Sequence, residues 1–514
     1  MVINQVFAAE QIGLPVLSLL VALPVAVAIV VALCSSIRWA HTVATLGAVA
    51  ELAIAVWLVA KLVPGTTDMQ FVERYGMVHL GIDGISALFL PLTALLTLLA
   101  TVYAEPVREN LRGYLIAMHL FAATMIGAFV AVDMLLFWAF FVAEIVPSYY
   151  LITRHGTGNE RHAAARTYVG FMTVSSLALG LAIWLLGSNH LAATGHTSHD
   201  LIDLLKVPVS GGMQTAIFVL LCLALAIKAP LVPFHTWMPR VLEQGPIIGM
   251  GVFLVGVKLG TYAFLRFVVP LLPEAAHEWF WVLAGLGAIS MVYGALIALV
   301  QTNLRRLLAF ASVSHMGVVM LGVFSLNFSG FQGGLLQMLN LGVTGAGLFF
   351  VAGFLANRIG TPDLSGMGGL GQYVPRLALT FLIIGLAGIG MPGTSGFNGE
   401  HLVMIGTFKV HWSMALVTGA GTVLAAMYFL SYYQRAFLGD RTASKAPSMP
   451  DLSPREMVIA GSLAAVIFWI GLYTSPFMKT MNGSLQGLAA HVERAPAKRL
   501  VSASVAPSAA VVPR

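Results

Sequence analysis

Apolar runs of roughly 20 residues recur along this chain from end to end, and no other feature limits its fold so tightly. A helix rises about 1.5 Å per residue, so a run of that length matches the roughly 30 Å hydrocarbon core of a bilayer. About fourteen such runs are legible, centred near Pro24, Ala53, Leu92, Ala122, Val142, Ser176, Ala224, Val255, Gly287, Val318, Thr344, Ile389, Val423 and Ala464. In lipid every backbone polar group must find its partner inside the protein, which leaves helices or a closed barrel. Sustained period-two alternation is missing, which argues against a barrel. Of 514 residues, 58% are hydrophobic and only 9% charged, against about a quarter charged in soluble domains. The expected class is therefore an all-α integral membrane protein with about 14 transmembrane helices, joined by short loops as antiparallel neighbours.

No Lys or Arg precedes Arg38, so the first run lacks the charged leader of a secretory signal and reads as a span. Alternate loops carry Arg38; Arg108 and Arg112; Arg154, Arg161 and Arg166; Arg240; Arg305 and Arg306; Arg358 and Arg376; and Arg435, Arg441, Lys445 and Arg455. The opposite loops hold few, Lys61, Arg74, Lys206 and Lys409, with Arg494, Lys498 and Arg499 of the tail as an exception. Lys/Arg excess marks the cytoplasmic side, so both termini are expected to face outward. The net charge of +6 is explained by this topology. The basic residues form no tract interleaved with aromatics, and no nucleic-acid partner is expected. Residues 477–514, rich in Ala, Pro, Ser and Val, read as a loosely ordered tail. Cys34 and Cys222 stand far apart in apolar runs and read as small buried apolar residues.

Some ionisable residues remain inside the spans: Glu51, Glu144, Lys228, Lys258, Arg266, His315 and Glu400. A charge at the bilayer centre costs at least about 2.5–3.5 kcal/mol, and such residues mark ion or proton pathways when they face a bundle interior. The competing reading is a structural ion pair or a charge reaching the interface, which suits Arg266 near a span end. Glu144 and Lys228 are natural partners, because pairing keeps both charged where burial alone would neutralise each. Lys258 stands between Gly256 and Gly260, a spacing that admits a close neighbouring helix.

Two spans are interrupted. "KAPLVPFH" loses backbone donors at Pro230 and Pro233, just behind Lys228 and just before His235. "GIGMPGTSGFNGE" holds Gly390, Pro392, Gly393 and Gly396 ahead of Glu400. Unwound backbone at membrane depth survives only where protein or a wet cavity satisfies it. Breaks at corresponding places in two halves point to an inverted repeat with its site at the midplane. The expected organisation is an N-terminal three-helix segment (1–110), two five-helix repeats (111–270 and 271–435), a C-terminal helix (436–476) and the tail.

"GIDGIS", "DMLLFWAFFVAE", "LVPFHTWMP", "QTNLRRLLAFASVSHMG", "GLFFVAGFLANRIGTPDLSGMGGL" and "GMPGTSGFNGE", in that order over about 80–435, resemble the antiporter-like subunit M of proton-pumping NADH:quinone oxidoreductase. That enzyme is respiratory complex I, and its superfamily includes Mrp-type sodium/proton antiporter subunits. The resemblance implies fourteen helices, inverted five-helix repeats with broken seventh and twelfth helices, and a midplane chain of protonatable residues. Carried over motif by motif, that chain is Glu144, Lys228, Lys258 and Glu400, with His235 and His315 linking the path. The resemblance also implies a bacterial inner membrane, other membrane-arm subunits as partners, protons (or sodium) as cargo, and no cofactor or metal on this chain. Redox chemistry would lie elsewhere.

The sequence departs from that family in places. Arg240 stands where an aspartate is usual, Leu341 where a histidine precedes glycine, and Ala143 where a tryptophan precedes the glutamate. Glu51 receives no role, and reads either as an extra site or as a pairing partner for another subunit. The alternatives are a membrane subunit of a related hydrogenase, Mrp-type antiporter or carbon dioxide-hydrating complex, or a scaffold that no longer pumps. "GMGGLG" (366–371) has no strand before it and reads as a flexible loop. "ASVSHMG" lacks a nucleophile turn. His190, His196 and His199 read as solvated loop residues rather than metal ligands.

Overall fold

Polar residues at the mouths of apolar runs start the helices. Asp133 accepts from the backbone N–H groups of Leu135 and Leu136 (2.8 and 3.0 Å) and opens Met134–Ala143. Asn303 accepts in the same way from Arg305 and Arg306 and opens Leu304–Val323. Ser453 and Glu456 cap each other's end of Pro454–Leu472 reciprocally. Each cap satisfies donors that a helix start leaves orphaned.

The computed structural model describes residues 3–104, 110–209, 211–361, 363–364, 367–439 and 449–504. Among them, twelve helices are long and apolar enough to cross a membrane: Val16–Leu33, Ile37–Lys61, Leu111–Val130, Met134–His155, Arg161–Thr194, Gly211–Lys228, Ile247–Leu271, Phe280–Leu299, Leu304–Val323, Phe328–Ile359, Trp412–Phe437 and Pro454–Leu472. Phe89–Val102 and Pro375–Gly388 are shorter apolar helices. The expected centres all fall in or at the edge of these elements. Leu111–Val130, Ile247–Leu271, Leu304–Val323 and Phe328–Ile359 are buried over almost their whole length and form the interior. The peripheral helices turn Trp57, Val174, Trp184, Trp281 and Leu416 outward, the apolar surface that a bilayer would cover.

Hydrogen bonds tie the basic loops to one another. Arg112 donates to the Ser35 carbonyl (3.3 Å). Arg305 donates to the carbonyls of Leu242 (3.0 Å) and Gly245 (2.5 Å) and to the Thr157 hydroxyl (2.7 Å). Arg305 is thus a buried clamp between the 157 loop and the end of the helix Trp237–Gln244, a packing role beyond that of a surface charge setting topology. Arg108, Arg441 and Lys445 lie outside the described residues.

Two features depart from the expected plan. A small sheet interrupts the all-helical pattern: Met69–Tyr75 pairs antiparallel with Val78–Ile82 and parallel with Gln5–Phe7. The "FVERYGMVHL" segment turns back on itself at Gly76, whose φ of 60° suits a tight turn. The tail from 477 is not loosely ordered over its described part; it belongs to the helix Ser475–Ser504. Met481, Leu485, Leu488 and Val492 are buried at spacings of four, three and four, one stripe of a helix packed on the bundle. Ser484 accepts from the Gly84 backbone N–H (3.0 Å) and Gln332 donates to Asn482 (2.5 Å). The described chain ends meet the same face, because Gln5 pairs with Met69 while Ser484 bonds the hairpin's exit.

Candidate functional site

Glu144 sits where Met134–Ala143 gives way to Ile145–His155, at 0% exposure. Its carboxylate is fully partnered. Lys228 Nζ donates to Oε2 at 2.5 Å, Tyr168 Oη lies 2.8 and 2.9 Å from the two oxygens, and Ser148 Oγ donates to Oε1 at 2.6 Å. The Lys228 ammonium also lies 4.9 Å from the centre of the Phe141 ring, a cation–π contact. Removing either ion would leave the other buried without its counter-charge.

Lys228 is the last residue of Gly211–Lys228. The chain then unwinds through Pro230 and Pro233, makes one short turn at Phe234–Thr236 and resumes as Trp237–Gln244. Side chains take up the backbone groups near the break: Trp237 Nε1 donates to the Ile227 carbonyl (2.9 Å), Ser175 Oγ to the Ala224 carbonyl (2.7 Å), and the Val232 N–H to Ser290 Oγ (2.9 Å). A cation at a helix C-terminus also faces the negative end of the dipole. The break and the lysine are therefore one local construction.

Lys258 is buried on Ile247–Ala263 and donates to the Leu254 carbonyl (2.9 Å). Gly256 and Gly260 bring this helix against the first pair. A Cβ on Gly256 would lie 3.5 Å from Glu144 Oε1, and one on Gly260 would lie 2.7 Å from the Ala229 nitrogen. Lys258 opens instead onto an internal cavity of about 30 Å³, shared with His315, Leu341, Thr344 and Tyr428. That is room for one or two waters. His315 Nε2 lies 3.3 Å from the Tyr428 hydroxyl.

Glu400 is buried on Ser395–Val410, after the second break at 389–394. It accepts from Gln337 Nε2 (3.3 Å) and Thr422 Oγ1 (3.1 Å). Asn340 accepts from Ser395 Oγ at 2.6 Å and donates towards Gln337 at 3.4 Å, fastening Phe328–Ile359 to the start of the glutamate's helix. Gly390 has φ of 74°, and a Cβ there would lie 2.5 Å from Glu400 Oε2. Only glycine satisfies both demands.

The structure thus joins Glu144 to Lys228 directly and sets Lys258 and His315 around one cavity. It gives Glu400 a separate polar cradle. His235 makes no such contact; it packs on Tyr293 (5.1 Å between ring centres), and its Nδ1 is buried without a hydrogen-bond partner. Arg266 belongs elsewhere: it pairs with Asp83 at 2.7 Å in a structural bridge. Glu51 is enclosed by this chain's own helices at 0% exposure, so a contact with another subunit is excluded.

Several neighbours escaped the sequence reading. Ser148 carried a signal, four residues beyond Glu144 on the same helical face, and so did Gln337 and Asn340, amides in the middle of an apolar run. Tyr168, Thr422 and Tyr428 carried none, since an isolated hydroxyl on an apolar helix looks the same whether or not it serves a buried charge. His190 is buried within Arg161–Thr194, its Nδ1 against the His196 carbonyl (2.8 Å), and is not a solvated loop residue. In the 366–371 stretch, the described Met367 and Leu370 are buried, so that part is packed; Gly366 lies outside the described residues. Cys34 and Cys222 are free and half-buried.

Residues 131–425 match the family model described as NADH:quinone oxidoreductase/Mrp antiporter, TM. The NADH-quinone oxidoreductase subunit M of Rhodobacter capsulatus is 35% identical over 478 residues, spanning 89% of this chain and 93% of that protein. Subunit M of Escherichia coli K12 is 35% identical over 427 residues, spanning 81% and 84%. A chain of respiratory complex I from Thermus thermophilus superposes with a TM-score of 0.84 at 31% identity, covering 93% of this chain and 99% of that one. A chain of the Mrp complex from Dietzia sp. DQ12-45-1b shares the fold at a TM-score of 0.80 and 24% identity, covering 93% and 98%.

Proposed function

Since the chain belongs to the NADH:quinone oxidoreductase/Mrp antiporter transmembrane family, we propose that it is the M-type membrane-arm subunit of a complex I-type NADH:quinone oxidoreductase and moves protons across a bacterial inner membrane. The observation that carries this reading is the fully buried Glu144–Lys228 pair beside a broken helix. A desolvated ion pair is weak support for stability alone, whereas a pair whose charges can be separated at a broken helix is a proton gate.

In this mechanism the first half holds its proton on Lys228 while Glu144 is ionised and bonded by Tyr168 and Ser148. Weakening the pair removes the carboxylate's attraction that holds the ammonium charged, and Lys228 then releases its proton towards the break, where His235 stands. Lys258, on the helix pressed against Glu144 through Gly256, is the next holder. His315, with a water in the shared cavity, takes the proton on towards the second half. Glu400 is the exit group, kept in place by Gln337 and Thr422. Leu341 removes one protonatable link at the cavity wall, which leaves Thr344 and Tyr428 as the hydroxyl carriers among its lining beside Ser312.

Fourteen crossings, two inverted repeats (111–270 and 271–435), and both termini on the outer face complete the reading. The bonded basic loops on one side and the two chain ends on the other support it. Neighbouring membrane-arm subunits are the partners, and redox chemistry belongs to other chains. Lys228→Ala and Glu400→Ala are each expected to lower proton pumping by the assembled complex reconstituted in vesicles. Unchanged pumping at normal assembly would refute these roles. Sodium substitution for potassium, with pumping followed by a pH dye and by sodium flux, separates proton from sodium transport.

A further inference from the structure

Away from the groups used above, one buried acid has no account. Glu51 lies mid-way along Ile37–Lys61, is 0% exposed, and has neither carboxylate oxygen hydrogen-bonded. Its helix packs on Val16–Leu33, Phe89–Val102 and Leu111–Val130. Val16–Leu33 and Phe89–Val102 contain no charged or histidine residue. Their threonines Thr93 and Thr97 donate to carbonyls of their own helix. Arg38, His41 and Lys61 stand near the ends of Glu51's own helix, with His41 against the Thr101 carbonyl. Leu111–Val130 begins with Arg112, bonded to Ser35, and with Tyr114. The titratable group left at depth is His119.

His119 is also 0% exposed, and its surroundings are unusual for a neutral imidazole. Nδ1 lies 2.9 Å from the Leu115 carbonyl and Nε2 lies 3.1 Å from the Ala44 carbonyl. A neutral ring has one donor and one acceptor nitrogen, but both of these nitrogens face groups that only accept. The arrangement is fully satisfied by the imidazolium. Ala44 and Glu51 lie on one buried stripe of the same helix, with Ala48 between them. Two turns separate them, about 10 Å along the axis.

We infer that His119 and Glu51 hold one proton between them, forming a second protonatable site in the N-terminal bundle. With the proton on His119, its Nε2–H donates to Ala44 and Glu51 is the carboxylate that balances the charge. When Nε2 gives up its proton Glu51 takes one up, and both groups are then neutral. The pair's net charge is zero in either state, which avoids an isolated charge in a low-dielectric interior. The site lies behind Leu111–Val130, whose other face places Phe121 and Met125 beside Gly256 and hence beside Glu144. It stands independently of the proposed proton line.

The test is infrared spectroscopy of the complex in membranes, reading the protonated-carboxyl C=O stretch and its shift in heavy water. The Glu51 band is the difference between the natural protein and Glu51→Gln. The same difference is taken in a His119→Gln background. The band is expected in both, and to grow about twofold without His119, as a proton shared by two groups becomes held by one. No band in either background, or equal bands in both, would overturn the inference. Should His119→Gln fail to assemble, isotope-labelled histidine read in the natural protein and in E51Q decides the matter. The His119 imidazolium fraction falls in E51Q if the two are coupled, and an unchanged fraction overturns the proposal.

Discussion

Lys228→Ala and a charge-free double replacement have opposite consequences for stability. Lys228→Ala leaves Glu144 buried with two hydroxyl donors and no counter-ion, a loss of about 3–5 kcal/mol. Replacing both ions at once, E144Q with K228M, keeps the volume and the hydrogen bonds from Tyr168 and Ser148 while removing both charges. The expected outcome is that the double variant unfolds at a higher temperature than K228A in thermal melts of the purified complex. It is also expected to remain defective in pumping. A double variant as unstable as K228A would mean that the pair is held for reasons other than its charge. At this scale the sequence was informative where chemistry is costly: an ammonium or carboxylate in lipid has to be explained. It was uninformative where the partner is a hydroxyl, because Tyr168 and Tyr428 fit an apolar helix with or without a charge to serve.

The two broken spans are built differently at the level of the element. In the first, indole and hydroxyl side chains of neighbouring helices take up the backbone groups near the interruption. In the second, glycines with positive φ at Gly390 and Gly393 turn the chain, and Gly390 touches Glu400. These two glycines therefore predict unequal effects. Gly393→Ala meets nothing nearer than 3.6 Å and carries only the backbone cost of a left-handed conformation, about 1–2 kcal/mol. Gly390→Ala carries that cost and also displaces the carboxylate. Proton pumping in vesicles is expected to fall clearly more for G390A than for G393A; equal losses would detach the turn from the glutamate. The proline and glycine clusters announced both breaks in the sequence, since both residue types interrupt a helix for known steric reasons. The hairpin at Met69–Ile82 and the helix at Ser475–Ser504 were not anticipated. Only the helix was legible as periodicity, a 4-3-4 stripe from Met481 to Val492; the hairpin carries no period-two signal, its strands being buried on both faces away from the turn. Composition obscured the helix, because a tail rich in Ala, Ser and Pro is read as disordered before its spacing is examined.

For the whole molecule, the long apolar spans supply the bulk, and a few polar ties fix how they sit. Arg305 joins the 157 loop to the Leu242–Gly245 helix end across the mouth of the interior helices. Replacing it with alanine leaves two carbonyls and a hydroxyl without their donor. Each unmet buried group costs about 1–3 kcal/mol, so the level of assembled complex in membranes, read on native gels, is expected to drop. Arg306→Ala, at a half-exposed neighbour with a 3.8 Å pair to Glu243, is expected to leave that level unchanged. Cutting the chain before Ser475 exposes the faces that Met481, Leu485 and Val492 cover, and is expected to lower assembly as well. All of these concern the frame within which the buried charges work. The central claim is that those charges carry the transported protons. Its most direct measurement is the number of protons moved per NADH oxidised by vesicles containing the assembled complex with Glu144→Gln, a change that keeps the side chain's size and its hydroxyl contacts. A lower ratio at normal assembly is the predicted result, and a ratio equal to that of the natural complex would contradict it.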